Sequence, residues 1–423
     1  MKDLFKLILL TLFVVVNSCS TTYQLKKEFK NQHQESEFFK GFVLYNPETK
    51  KQIVNHNGNK YFTPASNTKL YTFYAAYMTL GDSIKGLEYF KRNDTLYIKG
   101  TADPSFLYEF EESKTIPFLN NHSGPIVLID AEINDDYFGN GWSWGDYQYY
   151  YMPEKSLFPA YSNIVAYAHK ADSVFTDIDY FKTRIQLVDS LEINRENEEN
   201  IFYLQKNDTT LTYVPFRTDT KLIARLLSDT LKKSVVVVPE FKKYVEYKPV
   251  YSVAADSVYK KMLVISDNFI AEQLMLQVGK ETINKYNVSE AIDYVLEHYL
   301  SDLPQEPRWV DGSGLSRYNL FTPEDTVHLL IRMYEEIPLD QLLNYFAIGG
   351  ESGTLKNWYG GKDKPYVYAK SGTLSNNYSL SGYLITKKGT LLIFSYMNNH
   401  YRLSTFEIRT QMQNHLRKIY ETY

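Results

Sequence analysis

The sequence is almost free of cysteine and carries little net charge, and both shortages exclude whole classes of protein. The 423 residues include one cysteine, Cys19, so a disulfide framework and a cysteine-based metal cluster are excluded. Basic and acidic residues number 46 and 50, and a net charge of −4 gives no electrostatic basis for binding nucleic acid. A 44% hydrophobic share excludes a disordered chain, and the length suits two or three domains.

Long apolar runs are also scarce, and the one at the start of the chain has the features of an export signal. Lys2 and Lys6 precede an apolar stretch over residues 7–16, which is shorter than the roughly 20 residues that a spanning helix needs. The following Asn17-Ser18-Cys19 resembles the lipobox of bacterial lipoproteins. We therefore expect a lipoprotein signal over 1–19 and a polar tether over 20–40. The exported protein would be lipid-anchored through Cys19, at the periplasmic face of the outer membrane. The alternative is cleavage nearby, which would leave a soluble secreted protein with an unpaired thiol.

Hydrophobic periodicity predicts an α/β protein of the α+β type, with one antiparallel sheet covered by helices. Short strand-like runs separated by Asn, Asp and Gly turns fill residues 86–245 and indicate a largely β insertion. The insertion divides the main domain into residues 41–85 and 246–423. Within that domain we expect strands over 42–45, 52–55, 378–386 and 390–398, and helices over 70–78, 254–278, 289–299, 323–336 and 403–420.

Three short motifs carry candidate chemistry. In the first, Ser66 and Lys69 are three residues apart, which puts a hydroxyl and an amine on one helix face. A serine needs a base to become a nucleophile, and burial can make a lysine that base. Ser257 and Lys260 show the same spacing. The structural alternative is that Ser66 caps the helix and Lys69 is solvated.

The second motif is Ser266-Asp267-Asn268, in which a hydroxyl could pass a proton to a leaving group and Asn268 could hold a substrate amide. We expect Asp267 only to brace the loop. The third motif, residues 370–373, combines the positive charge of Lys370, the hydroxyl of Ser371 and the close backbone approach that Gly372 allows. Lysine and serine there suit a substrate carboxylate.

The order of these motifs is the signature of penicillin-binding proteins and serine β-lactamases. The segments 64–70, 99–104, 141–146, 266–272, 311–317 and 350–355 further resemble the D-alanyl-D-alanine carboxypeptidase/endopeptidase family, the class C low-molecular-mass penicillin-binding proteins. The resemblance covers nearly all of residues 41–420. It implies a transpeptidase-like catalytic domain and hydrolysis of peptidoglycan stem peptides without a cofactor or metal. It also implies that β-lactams are covalent inhibitors.

The resemblance also implies a role for each site residue. Ser66 would attack the carbonyl of the penultimate D-alanine, Lys69 would take its proton, and Ser266, linked to Lys69 and Lys370, would protonate the departing amine. Backbone N–H groups of Ser66 and Thr373 would form the oxyanion hole. Lys370 and Ser371, which stands where the family usually has threonine, would hold the terminal carboxylate.

Four residues near these motifs have two possible roles each. Asp146 could face the amine of a diaminopimelate side chain, as in the family, or close a turn. Arg317 could lie at the cleft edge or pair with a carboxylate. We interpret Trp142 and Trp144 as packing anchors, with a substrate platform as the alternative.

Other functions remain open at this stage. A β-lactamase or esterase of the same superfamily would use the same motifs, although the long insertion argues against it. A non-catalytic wall-binding protein is possible in principle, but every motif side chain is present. A Ser-His-Asp hydrolase is disfavoured, because the eight histidines lie outside motif-like contexts and there is no Gly-x-Ser-x-Gly elbow.

Overall fold

The structure is a computed structural model that describes residue 27 and residues 37–110, 112–170, 173–241, 245–362 and 364–423. Cys19, the predicted signal and most of the predicted tether lie outside the described residues. Within the described ranges, every helix is too short or too polar to cross a bilayer.

The chain alternates short strands with helices, and the helices concentrate in its C-terminal half. The strands are β1 (Phe39–Asn46), β2 (Lys51–His56), β3 (Ser83–Arg92), β4 (Thr95–Gly100), β5 (Ile126–Asp130), β6 (Ile164–Lys170), β7 (Ser173–Thr176), β8 (Ile185–Val188), β9 (Phe202–Gln205), β10 (Thr212–Pro215), β11 (Val235–Pro239), β12 (Lys248–Ala254), β13 (Ala347–Ile348), β14 (Val367–Leu374), β15 (Asn377–Ile385) and β16 (Leu391–Asn399). The helices are α1 (Lys69–Thr79), α2 (Thr115–Asn120), α3 (Thr220–Leu231), α4 (Ala255–Ile265), α5 (Asn268–Ile283), α6 (Val288–His298), α7 (Pro323–Glu336), α8 (Leu339–Asn344) and α9 (Thr405–Thr422).

The main sheet joins the two ends of the described chain. Its six strands lie in the order β13-β14-β15-β16-β1-β2, and every neighbouring pair is antiparallel. Because side chains alternate along a strand, Val43 packs on one face with α1 and α4 to α7, whereas Phe42 and Leu44 pack on the other with α9. The predicted antiparallel sheet covered by helices is confirmed.

Residues between β3 and β12 form a second body of sheets. A five-stranded mixed sheet has the order β11-β5-β4-β3-β12, and a three-stranded and a two-stranded sheet lie beside it. The first and last strands of this body, β3 and β12, are antiparallel neighbours. The chain therefore passes from the main domain into this body and back again at one place. A separate apolar cluster over residues 87–231 includes one face of α3, a helix that our sequence analysis did not predict. The exact domain boundaries stay a prediction.

The expected single helix over 254–278 is wrong, because the chain breaks between α4 and α5. Ser266 takes a left-handed conformation with φ of 63°, and the carboxylate of Asp267 caps α5 by accepting from the backbone N–H of Ile270 at 2.9 Å. α4 buries one face, whereas α5 is buried on all sides from Phe269 to Gly279, so apolar residues continue through the break and the hydrophobic pattern does not reveal it. The break places Ser266 and Asn268 at the tip of a turn, and Asp267 braces that turn as expected.

Candidate active site

Ser66 lies in a tight turn, Ala65–Thr68, that leads into the buried helix α1. Ala65 has a φ of 51°, a conformation that a non-glycine residue adopts only under local constraint. Ser66 is half-buried, Lys69 is fully buried, and no side chain caps this turn. The structural alternative, a capping serine beside a solvated lysine, is therefore wrong.

The amine of Lys69 is held by three oxygen atoms. Its Nζ donates to Asn268 Oδ1 and to the backbone oxygen of Ser313, both at 2.6 Å, and lies 3.1 Å from Ser66 Oγ. A protonated amine can satisfy all three oxygens. Once neutral it has two N–H donors and a lone pair. If the neutral amine uses its two N–H groups for Asn268 and Ser313, its lone pair faces the Ser66 hydroxyl, which can then donate its proton to Lys69.

The surroundings of Lys69 favour the neutral amine. Burial lowers its pKa from 10.5 to about 8, although the carboxylates of Asp311, Asp267 and Glu272 oppose the shift. The rival pair differs completely, since Ser257 and Lys260 are exposed on α4, and Lys260 bonds the side chain of Asn344. Only the first pair has the burial that base catalysis by lysine requires.

A second lysine–serine pair lies opposite. Lys370 Nζ donates to Ser266 Oγ at 2.8 Å and to the backbone oxygen of Ser371 at 2.6 Å. Burial and the nearby charge of Lys69 lower the pKa of Lys370 well below its usual range. In the described residues Ser266 bonds Lys370, while Lys69 bonds Asn268 instead, so the expected Ser266–Lys69 link is not formed here.

The strand that carries the third motif, β14, packs directly on the Ser66 turn. Asn67 Nδ2 donates to the backbone oxygen of Lys370 at 2.8 Å. A Cβ at Gly372 would lie 2.5 Å from the backbone oxygen of Pro64 and 2.9 Å from the backbone nitrogen of Ser66. Only glycine allows this approach, which puts Thr373, the next residue on β14, beside the nucleophile. The Ser371 hydroxyl lies 2.7 Å from Thr354 Oγ1.

The 311–317 loop supports the Lys69 side of the site. Asp311 accepts from the backbone N–H groups of Gly314 and Ser316 and from the indole N–H of Trp142. Glu272 accepts from the Ser313 N–H at 2.7 Å, and its other oxygen is buried and receives no hydrogen bond from any described residue. Burial and the nearby Asp311 carboxylate raise the pKa of Glu272 above its ordinary value. These bonds fix the Ser313 carbonyl that Lys69 donates to.

Asn268 connects the site to the 144–151 segment. Its Nδ2 donates to the backbone oxygen of Tyr151 at 2.8 Å, while its Oδ1 accepts from Lys69. Asp146, in the turn Trp144–Gln148, bonds the Tyr151 side chain. Burial and this carboxylate raise the pKa of Tyr151 to about 12. Asp146 is therefore near the cleft, but its contact with substrate stays a prediction.

The remaining candidates divide between core and surface. Trp142 is a packing anchor as expected, whereas Trp144 is 76% exposed, so its interpretation as an anchor is wrong. Arg317 is exposed, and no ion pair joins it to another residue of the described chain. Its place at the cleft edge stays a prediction.

Thr354, Ser313 and Glu272 are site residues that the motifs did not predict, although all three lie in segments that carry the resemblance. The signal for Ser313 was the pair of flanking glycines. Gly314 has a φ of 81°, and a Cβ there would meet the backbone oxygen of Ala65 at 2.0 Å. No pattern in the neighbouring sequence indicates Thr354 or Glu272. Thr354 contacts the hydroxyl of Ser371 and Glu272 contacts the N–H of Ser313, and only the fold brings these residues together.

The sequence is similar to those of known peptidases. The sequence matches the D-Ala-D-Ala carboxypeptidase 3 (S13) family over residues 26–167 and 245–419. It is 23% identical to D-alanyl-D-alanine carboxypeptidase DacB of Haemophilus influenzae, over 88% of this chain and 87% of that protein.

Solved structures share the fold. Penicillin binding protein 4 of Haemophilus influenzae superposes with a TM-score of 0.75 at 19% identity, covering 93% of this chain and 98% of that one. A penicillin G-acylated predatory endopeptidase of Bdellovibrio bacteriovorus, in complex with an immunity protein, gives a TM-score of 0.51 at 17% identity, covering 90% and 91%. The predicted fold class is confirmed.

Proposed function

Since the chain belongs to the D-Ala-D-Ala carboxypeptidase 3 (S13) family, we propose that it hydrolyses the D-alanyl-D-alanine bond of peptidoglycan stem peptides through an acyl-enzyme at Ser66. Membership of this family of serine peptidases confirms the family predicted from the motifs. The observation that carries the residue assignment is the Lys69 amine, fully buried, 3.1 Å from Ser66 Oγ and bonded by two further oxygens.

Acylation begins when Ser66 Oγ attacks the carbonyl carbon of the penultimate D-alanine and its proton passes to Lys69. Because the pKa of Lys69 is about 8, a useful fraction of the amine is neutral near pH 7. The backbone N–H groups of Ser66 and Thr373 would stabilise the oxyanion, a contribution of about 3 kcal/mol per donor. The close approach of Gly372 to the Ser66 backbone supports that pairing.

The lysine of the third motif serves the other end of the substrate. Lys370 and Ser371 would bind the terminal carboxylate, and Thr354 would orient the Ser371 hydroxyl. Within the described residues the hydrogen bonds of the Lys370 amine go to a hydroxyl and a backbone oxygen and to no carboxylate, so a substrate anion would supply the counter-charge to this buried amine.

Release of the leaving group requires a proton. Ser266 would give its proton to the departing amine and take one from Lys370, which already donates to Ser266 Oγ. Water then hydrolyses the ester. The leaving group can be free D-alanine or a cross-linked stem, so carboxypeptidase and endopeptidase activities use the same residues. Asn268 would hold a substrate amide, and Asp146 would face the amine of the third residue. Arg317 would line the cleft edge.

We also propose that the protein is exported and tethered to a membrane through acylated Cys19, at the periplasmic face of the outer membrane. The basic residues, short apolar core and lipobox-like ending of the leader support this proposal. Incorporation of an alkyne-labelled fatty acid tests it. Wild type should be labelled, and a Cys19→Ala variant should not.

The activity is tested by mass spectrometry of purified muropeptides after incubation with wild type, with Ser66→Ala and with Ser257→Ala as the matched control. Wild type and the control should remove terminal D-alanine or open cross-links, and Ser66→Ala should do neither. Unchanged muropeptides with wild type would overturn the proposal. Rapid turnover of penicillin in place of a long-lived adduct would favour the β-lactamase alternative, and no adduct at all would favour a non-catalytic role.

A further inference from the structure

Four aromatic side chains border the active site, and three of them are exposed. Trp144 is 76% exposed, Tyr150 63% and Tyr149 43%, and they adjoin Tyr151; we call these four residues the aromatic rim. Tryptophan is among the most extensively buried residue types on average, so a largely exposed tryptophan indicates a binding surface more than a packing role. Trp142, two residues before the rim, is half-buried, and its indole N–H donates to Asp311.

The rim is joined to the catalytic groups by two hydrogen bonds. Asn268 donates to the backbone oxygen of Tyr151 and accepts from Lys69, so one amide lies between the rim and the base. A ligand on the rim would therefore be next to a substrate bound at Ser66.

The rings of the rim contact one another or a buried neighbour although three of them are exposed. Tyr149 and Tyr151 stack with centroids 5.7 Å apart and planes 16° apart, and Tyr150 meets Tyr151 edge-on at 5.5 Å. Trp144 leans on the buried Tyr147, and the backbone N–H of Tyr149 closes a turn onto Asp146. Because the rings are already positioned, binding to them costs little additional conformational entropy.

The chemistry of the rim fits a neutral sugar. Asp146 is the only charged residue between residues 143 and 152, so this segment itself has no positive charge with which to attract a polyanion or an anionic lipid headgroup. A pyranose ring has an apolar C–H face that stacks on an aromatic ring and a polar edge that bonds hydroxyl and carboxylate groups. Trp144 and the tyrosines supply the faces, and the phenol groups supply the polar partners.

We propose that the aromatic rim binds the N-acetylhexosamine rings of the glycan strand, so that the enzyme takes stem peptides attached to glycan in preference to free ones. The proposal rests on the proposed function, because it takes the peptide at Ser66 to be a peptidoglycan stem. It assigns the rim a role in choosing the substrate and none in the chemistry.

The test compares a free stem pentapeptide with the same peptide carried on a disaccharide. For wild type we expect kcat/KM to be about tenfold higher for the disaccharide substrate. In a Trp144→Ala/Tyr150→Ala variant the ratio of the two values should fall close to one. Tyr213→Ala, which removes an exposed tyrosine of β10 in the inserted region, should keep the wild-type ratio.

Binding of a chitin tetrasaccharide, followed by titration calorimetry, gives a readout that needs no catalysis. Wild type and Tyr213→Ala should bind it, and the rim variant should not, while circular dichroism verifies that the variant is folded. A wild type with no preference for the disaccharide substrate, or a rim variant that keeps the preference, would overturn the proposal. If wild type proved to be a dimer and the rim variant a monomer, the rim would be a protein interface and the proposal would be overturned. Loss of the proposed function itself would look different, because neither peptide would be cleaved.

Discussion

The rate at which a penicillin acylates Ser66 should follow the ionisation of Lys69. An ordinary lysine with a pKa of 10.5 would be neutral in about one molecule in 3,000 at pH 7. With the pKa lowered to about 8, the neutral fraction at pH 7 is about one in ten. Burial of Lys69 therefore accounts for a rate advantage of about 300-fold through the neutral fraction alone.

Stopped-flow acylation by a fluorescent penicillin between pH 6 and pH 10 measures this directly. The base is active above its pKa and is lost as the pH falls through it. The rate constant should therefore drop about tenfold per unit below pH 8 and level off above it. A profile that is flat over this range, or that still rises tenfold per unit between pH 9 and pH 10, would refute the assignment of Lys69 as the base.

Glu272 provides a second test of the same reasoning. Its carboxylate favours the charged form of Lys69, so Glu272→Gln, which keeps an acceptor for the Ser313 N–H, should move the inflection to lower pH. Glu281→Gln is the matched control, because Glu281 lies on the same helix but forms an exposed ion pair with Lys85. An inflection that stays in place or rises in Glu272→Gln would contradict the electrostatic account.

Two further substitutions test how β14 and its neighbours position the substrate. Gly372→Ala should reduce the acylation rate about 100-fold with little change in melting temperature, because its Cβ must push β14 away from the Ser66 backbone; acylation within twofold of wild type would show that this approach is not needed. Thr354→Val removes the partner of the Ser371 hydroxyl at a cost of about 1 kcal/mol. It should raise KM for a D-alanyl-D-alanine peptide about fivefold with kcat nearly unchanged. An unaltered KM would show that Thr354 has no part in binding the substrate carboxylate.

Residues whose chemistry depends on close sequence neighbours could be predicted from the sequence. The i, i+3 spacing of Ser66 and Lys69, the apolar face of α1 and the hairpin β15–β16 all follow from local periodicity. The helix Pro323–Glu336 has the expected bounds, and Thr322 and Asp325 fix its start by forming a capping box around Pro323.

Features that depend on tertiary contacts could not be predicted. The helix break at Ser266 is invisible to periodicity, because α4 and α5 both pack against α1. Lys69 receives two of its three oxygen contacts from Asn268 and Ser313, about 200 residues or more along the chain. The partial burial of Trp142 likewise depends on a tertiary contact, because its indole donates to Asp311. No sequence pattern distinguishes it from Trp144, which is 76% exposed.

The central claim is that Ser66, activated by the buried Lys69, is the acylated nucleophile. Tandem mass spectrometry of protease digests after exposure to benzylpenicillin measures this most directly. The account predicts a penicilloyl adduct on the peptide that contains Ser66, with its fragment ions locating the adduct on that serine, and none in a Lys69→Met variant at pH 7. An adduct on Ser266, Ser257 or another residue, or equal labelling of the Lys69→Met variant, would contradict it.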